Sequence, residues 1–192
     1  MLIFTPPLVS QRSGKPFFLH GPGGTGKTYV YNTLCYFLRG QGKIVLCVAF
    51  LGIASLLLIG GRTSHSTFKI PIEVHESSVC PIPRNSKLAE LIQVTDLVIW
   101  DEAPMLHHHI YEAVDHSFCD IRRCEDKVFG GLTVVFGGDF KQILPVIVKG
   151  SRPQIVFRDL TNYGHPSTSS NSQRTCVWTP KTFLSVILQS GS

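Results

Sequence analysis

Short apolar runs alternate with stretches of helical period along the chain, and glycine or polar clusters separate them. Pro16-Phe17-Phe18-Leu19-His20 reads as a buried strand, and Tyr29 to Arg39 as a helix stopped by Gly40. Lys43 to Ala49 is a second buried strand, too short and β-branched for a helix. Gly52 to Leu58 reads as helical, ended by Gly60-Gly61, and Arg62 to Lys69 as a polar connection with Pro71 beyond it. Residues 73–85 carry the Pro, Ser and Glu of a loop. Ser86 then caps a helix through Leu88, Leu91 and Ile92, with Glu90 in its first turn. Leu97 to Trp100 is a third strand, running straight into Asp101-Glu102. Leu106, Ile110, Ala113, Val114, Phe118 and Ile121 mark an amphipathic helix, and Thr133 to Phe136 a fourth strand ended by Gly137-Gly138. Strands alternating with helices predict an α/β fold, a parallel sheet with helices on both faces.

Composition agrees with that pattern. The chain has 192 residues, 43% hydrophobic and 16% charged, which suits one globular domain. No apolar run reaches about 18 residues, so no membrane span is expected. Met1-Leu2-Ile3-Phe4 has no basic leader and runs into Thr5-Pro6-Pro7, a poor secretory signal. The six cysteines form no C-x-x-C pair, as expected of free, mostly buried thiols in a reducing compartment. Net charge is +5, and its placement is uneven: residues 1–72 hold seven Lys/Arg and no Asp or Glu. A one-sign segment of that kind attracts polyphosphates and nucleic acid alike. Residues 160–175, rich in Ser, Thr and Asn, read as a loop or linker before one last apolar run, Phe183 to Leu188.

The chemistry begins at Gly21-Pro22-Gly23-Gly24-Thr25-Gly26-Lys27-Thr28, a complete phosphate-binding loop between a strand and a helix. Gly21, Gly23, Gly24 and Gly26 let successive N–H groups close around phosphate, beside Thr25. Lys27 is placed to reach the β- and γ-phosphates, and the Thr28 hydroxyl to join a Mg²⁺ shell. Asp101-Glu102 follows a strand, 74 residues after Lys27. In a phosphate-loop enzyme the first acid holds Mg²⁺ through its water shell, and a second can deprotonate the attacking water. Apart from the loop, the same pair would read as an acidic turn. Gly137-Gly138-Asp139-Phe140-Lys141-Gln142 closes the next strand on the same edge, where Gln142 could contact the γ-phosphate and the lytic water. Asp139 could pair with Lys141 or hold the turn.

Arg62-Thr63-Ser64-His65-Ser66-Thr67-Phe68-Lys69 offers cations and hydroxyls for phosphates, and His65 or Phe68 for base stacking. The alternative is a polar loop with one core phenylalanine. His107-His108-His109 invites a metal reading, but consecutive helical residues point apart and no H-E-x-x-H pattern is present. A solvated helix face is expected there, with no metal cluster. Trp100 reads as core.

Four blocks carry a family resemblance: GPGGTGKT (21–28), GIASLLLIGGRTSHSTFKIP (52–71), VIWDEAPM (98–105) and FGGDFKQILPVI (136–147). With these the chain resembles the petite-integration-frequency (Pif-type) DNA helicases of superfamily 1, in their plant and Helitron-type branch. The resemblance implies a RecA-like phosphate-loop ATPase domain at 13–158, after an extension at 1–12 and before a divergent tail at 159–192. It implies ATP-driven 5′-to-3′ unwinding with Mg²⁺, single-stranded or forked DNA as partner, a nuclear location, and roles in DNA repair, recombination and telomere maintenance. Carried over by motif, Lys27 and Thr28 would grip phosphate and Mg²⁺, Asp101 would serve Mg²⁺, Glu102 would be the base, and Gln142 the γ-phosphate sensor. Arg62, Thr63, His65, Ser66, Phe68 and Lys69 fall in the block that lies on the DNA side in that family. Phe50-Leu51 stands where the family has small polar residues, and no counterpart of the second RecA-like lobe is visible. A truncated or transposon-derived nucleotide-binding remnant without unwinding activity is the alternative.

Overall fold

The structure, a computed structural model, describes residues 16–139. Gln142, Lys141, the extension at 1–12 and the tail at 159–192 lie outside those residues. The chain runs β1 (Pro16–His20), α1 (Lys27–Gly40), β2 (Val45–Ala49), α2 (Gly52–Leu56), β3 (Arg62–Thr63), α3 (Ser64–Phe68), α4 (Lys87–Val94), β4 (Leu97–Asp101), α5 (His108–Arg122) and β5 (Thr133–Gly138). Two short 3₁₀ turns, Ala103–Met105 and Val128–Gly131, flank α5. The strands form one sheet in the order β1-β5-β4-β2-β3, with every pairing parallel.

Side chains that alternate along each strand divide the core into two layers. Leu97 and Ile99 of β4 and Val135 of β5 face α1, where they meet Tyr31, Leu34, Cys35 and Leu38. Val98, Trp100, Val134 and Phe136 face the other way, against Phe68, Ile92, Val114 and Phe118. Helices thus cover both faces, which is why the central strands are apolar at every position rather than at every second one.

Local signals set the boundaries. Ser86 Oγ accepts the Ala89 N–H at 3.2 Å and starts α4 as the sequence indicates. Two segments differ from the sequence reading. Arg62 to Lys69 is a two-residue strand and a one-turn helix rather than a connection, and Thr63 Oγ1 caps that helix by accepting the Ser66 N–H at 3.4 Å. The amphipathic helix starts at His108 rather than near Leu106. His107 is its cap, accepting the His109 N–H at Nδ1 over 3.3 Å. Because His107 precedes the helix, the expectation that the three imidazoles diverge is corrected: their ligand atoms lie within 4.8 Å of one another. His109 is also bonded through Nδ1 to Glu112 at 2.7 Å.

Cys35, Cys47 and Cys80 are buried free thiols, and Cys119 and Cys124 are half-buried. Among the described residues, no helix is long and apolar enough to cross a membrane.

Candidate functional site

Because all five strands are parallel, their C-terminal ends share one edge. His20 pairs with Gly138 and Ala49 with Asp101, so the phosphate loop, the acid pair and the end of β5 emerge side by side. The Gly21 N–H donates to the Gly138 carbonyl at 3.3 Å and fastens the loop to β5. Gly24 and Gly26 have φ of +79° and +86°, backbone that only glycine adopts without strain. Gly26 is the cap of α1, so the loop delivers its amides to a helix N-terminus. Lys27, in the first turn of α1, folds back over the loop, and its Nζ donates to the carbonyls of Gly21 at 2.6 Å and Pro22 at 3.1 Å. The Thr25 hydroxyl donates to the Pro22 carbonyl at 2.8 Å.

Asp101 ends β4 in a buried position, and its Oδ1 has no aligned hydrogen-bond partner. A buried carboxylate oxygen is costly to leave unpaired. A carboxylate and a hydroxyl, as at Asp101 and Thr28, are oxygen donors of the kind that would suit a hard divalent cation such as Mg²⁺. Glu102 follows with φ +54° and ψ +31°, left-handed backbone for a residue with a Cβ. Partial burial, then the charges of Asp101 and Asp139, push its carboxyl above the ordinary carboxylate range, while Lys27 pulls in the opposite direction. Lys27, Asp101, Glu102 and Asp139 therefore share one electrostatic neighbourhood. Asp139 is buried at the end of β5.

Sequence reasoning placed the loop and the acids on this edge and missed one neighbour, Tyr31. It lies on α1 one turn beyond Lys27 and is buried against Asp101. The four-residue step from Lys27 was its one legible signal.

The candidate nucleic-acid residues occupy the same edge, farther along the sheet. Thr63 pairs with Ala49 in β3, two strands from Asp101 and so about 10 Å away. Arg62, Ser66 and Lys69 are exposed, and Thr63 and His65 half-buried. The His65 ring is 6.0 Å from that of Phe50, and burial lowers its pKa, leaving it a neutral aromatic at pH 7. Phe68 is corrected: it has no exposed surface and packs 5.4 Å from Trp100 and 5.1 Å from Phe118. Its ring is core and does not offer a face to a base. A separate cleft beside Gln93, Arg122 and Lys127 lies at the opposite edge, where Arg122 is committed to the carbonyls of Ile92, Gln93, Thr95 and Gly130.

Comparison with known proteins returns the same family from sequence and from shape. Residues 6–165 match the model of the PIF1-like helicases. Over 141 residues the chain is 37% identical to the ATP-dependent DNA helicase Pif1 of Psychrobacter sp., covering 72% of this chain and 21% of that protein. It is 33% identical over 140 residues to the ATP-dependent DNA helicase PIF1 of Candida albicans, covering 71% of this chain and 15% of that protein. The crystal structure of the Candida albicans Pif1 helicase superposes with a TM-score of 0.60 at 31% identity, over 77% of this chain and 35% of that one. Pif1 helicase from Bacteroides in complex with ADP-AlF₃ and single-stranded DNA gives 0.58 at 27% identity, over 83% of this chain and 37% of that one. The chain thus spans about a fifth or less of the relatives' sequences, and the matched part contains the whole loop-and-acid edge described above. On that match the chain belongs to the PIF1-like helicase family.

Proposed function

We propose that this chain is the nucleotide-binding lobe of an ATP-dependent DNA helicase, which binds and hydrolyses ATP with Mg²⁺ and contacts single-stranded DNA. The observation that carries the reading is the convergence of the Gly21–Thr28 loop, Asp101 and Glu102 on one edge of a parallel sheet. The ADP-AlF₃ and single-stranded DNA held by the Bacteroides relative support both ligand classes.

In this reading, Lys27 exchanges the carbonyls of Gly21 and Pro22 for the β- and γ-phosphate oxygens, and the loop amides close on the same phosphates. Thr28 and Asp101 hold the Mg²⁺, whose role is to neutralise charge on the phosphates. Glu102 takes a proton from the attacking water, and its raised pKa strengthens it as a base near neutral pH. Gln142 is proposed as the γ-phosphate sensor by motif alone. Arg62, Ser66 and Lys69 supply phosphate contacts to the DNA, with Thr63 at the strand end and His65 beside Phe50 as the base-stacking pair. Placement in the plant and Helitron-type branch, 5′-to-3′ polarity, a nuclear location and work in repair, recombination and telomere maintenance follow from the family resemblance and belong to the proposal.

ATP turnover with and without single-stranded DNA, beside a Lys27→Ala control, tests it. DNA-stimulated turnover that Lys27→Ala abolishes is the expected result. Nucleotide binding with no turnover would remove the motor reading and leave a nucleotide-binding element.

A further inference from the structure

Tyr31 is a buried ionisable group against the acid pair to which the proposed function gives no task. It stands one turn beyond Lys27 on α1 with 1% of its surface exposed. Its hydroxyl and Asp101 Oδ1 are both buried and neither has an aligned hydrogen-bond partner. The two nonetheless meet over Gly137. A Cβ at that position would lie 1.5 Å from the Tyr31 hydroxyl and 3.3 Å from Asp101 Oδ1. Glycine at 137 therefore makes the space into which the hydroxyl projects. A phenol is protonated at neutral pH and has its hydroxyl proton to donate. A protonated phenol facing a carboxylate oxygen in a water-excluded space has one favourable arrangement, an O–H···O bond.

We propose that Tyr31 is a positioning residue for the cation site: its hydroxyl donates to Asp101 Oδ1 and fixes the carboxylate at the phosphate-loop edge. The bond ties β4 to the helix whose first turn carries Lys27 and Thr28, so the two halves of the cation's oxygen set move as one. A phenylalanine would fill the same volume and leave the carboxylate without its donor. The inference rests on the reading of Asp101 as a Mg²⁺-serving carboxylate, and its test separates the two.

The test is Mn²⁺ affinity, read by electron paramagnetic resonance with ADP present, for the full chain and for Tyr31→Phe and Asp101→Asn. ADP affinity in EDTA is measured alongside. Losing a partner that orients a metal-serving group weakens metal binding about 10–100-fold. Tyr31→Phe is expected to weaken Mn²⁺ about tenfold while metal-free ADP affinity stays within about twofold. If Asp101→Asn weakens Mn²⁺ and Tyr31→Phe does not, the positioning role is overturned and Tyr31 is core packing. If the unaltered chain binds no Mn²⁺ with ADP, the nucleotide-site reading fails and takes the inference with it. Should Tyr31→Phe fail to fold, the hydroxyl proton of Tyr31 provides the second reading. Bonded to Asp101, it is a slowly exchanging proton resonance that moves upfield in Asp101→Asn; an unmoved resonance overturns the proposal.

Discussion

Glu102 combines two features that work against stability at a single position. Its left-handed backbone costs a residue with a Cβ about 1–2 kcal/mol. Its carboxylate is partly buried beside Asp101. Such strain persists where a functional group has to be aimed, here off the end of β4. Glu102→Gln keeps the shape, and as the loss of a general base it should lower ATP turnover roughly 10²–10⁴-fold while nucleotide binding persists. Because the folded-state pKa is raised, the folded chain holds this proton more tightly than the unfolded chain does. Glu102 therefore favours the folded state at low pH, and that contribution is lost as pH rises through the raised value. Thermal melts should show Glu102→Gln with the higher Tm at pH 7 and a gap that narrows toward the carboxylate range. A pair of substitutions divides the 62–69 block in the same way. Phe68→Ala should cost about 3–5 kcal/mol of stability, as a large buried ring does. Arg62→Ala should leave the Tm alone, weaken single-stranded DNA binding, and flatten its salt dependence.

At the scale of elements, the site is made by the fit of α1 against the ends of β4 and β5. Gly137→Ala would drive a methyl group into the Tyr31 hydroxyl, with the ring's Cζ only 2.6 Å away. Overpacking of this kind costs about 1–3 kcal/mol, and denaturant melts should place Gly137→Ala at or above that range. Much of this level was legible in the sequence. The strands at 45–49, 97–101 and 133–138 are buried on both faces and the edge strand at 16–20 is half-buried, so each appears as a short, largely apolar run. The phosphate loop was legible because its glycines and Lys27 are dictated by backbone geometry and charge. Arg62 to Phe68 was not: a two-residue strand and a five-residue helix are too short to show a period, and a Thr63 cap resembles any polar turn. Phe68 looked available for the same reason, since what buries it comes from β4 and α5. His107 was read as helical although its ring caps the helix, and that converted three diverging imidazoles into a cluster. Tyr31 was invisible as a site residue because its neighbour Asp101 is 70 positions away in the chain.

For the whole molecule, the parallel sheet places the candidate nucleotide and DNA residues on one edge, with Asp101 and Thr63 about 10 Å apart. The matched segment covers 21% of the Psychrobacter relative and 15% of the Candida albicans one. In the proposed function the described edge is a Mg²⁺–nucleotide site organised by Lys27. Titration of a fluorescent ADP analogue with Mg²⁺, on the unaltered chain and on Lys27→Ala, tests it most directly. A charge-assisted hydrogen bond to phosphate is worth about 1.5–3 kcal/mol. The account therefore predicts saturable binding that weakens roughly tenfold to a hundredfold in Lys27→Ala, with an unchanged Tm for the free protein. Equal affinity in the two proteins would contradict it.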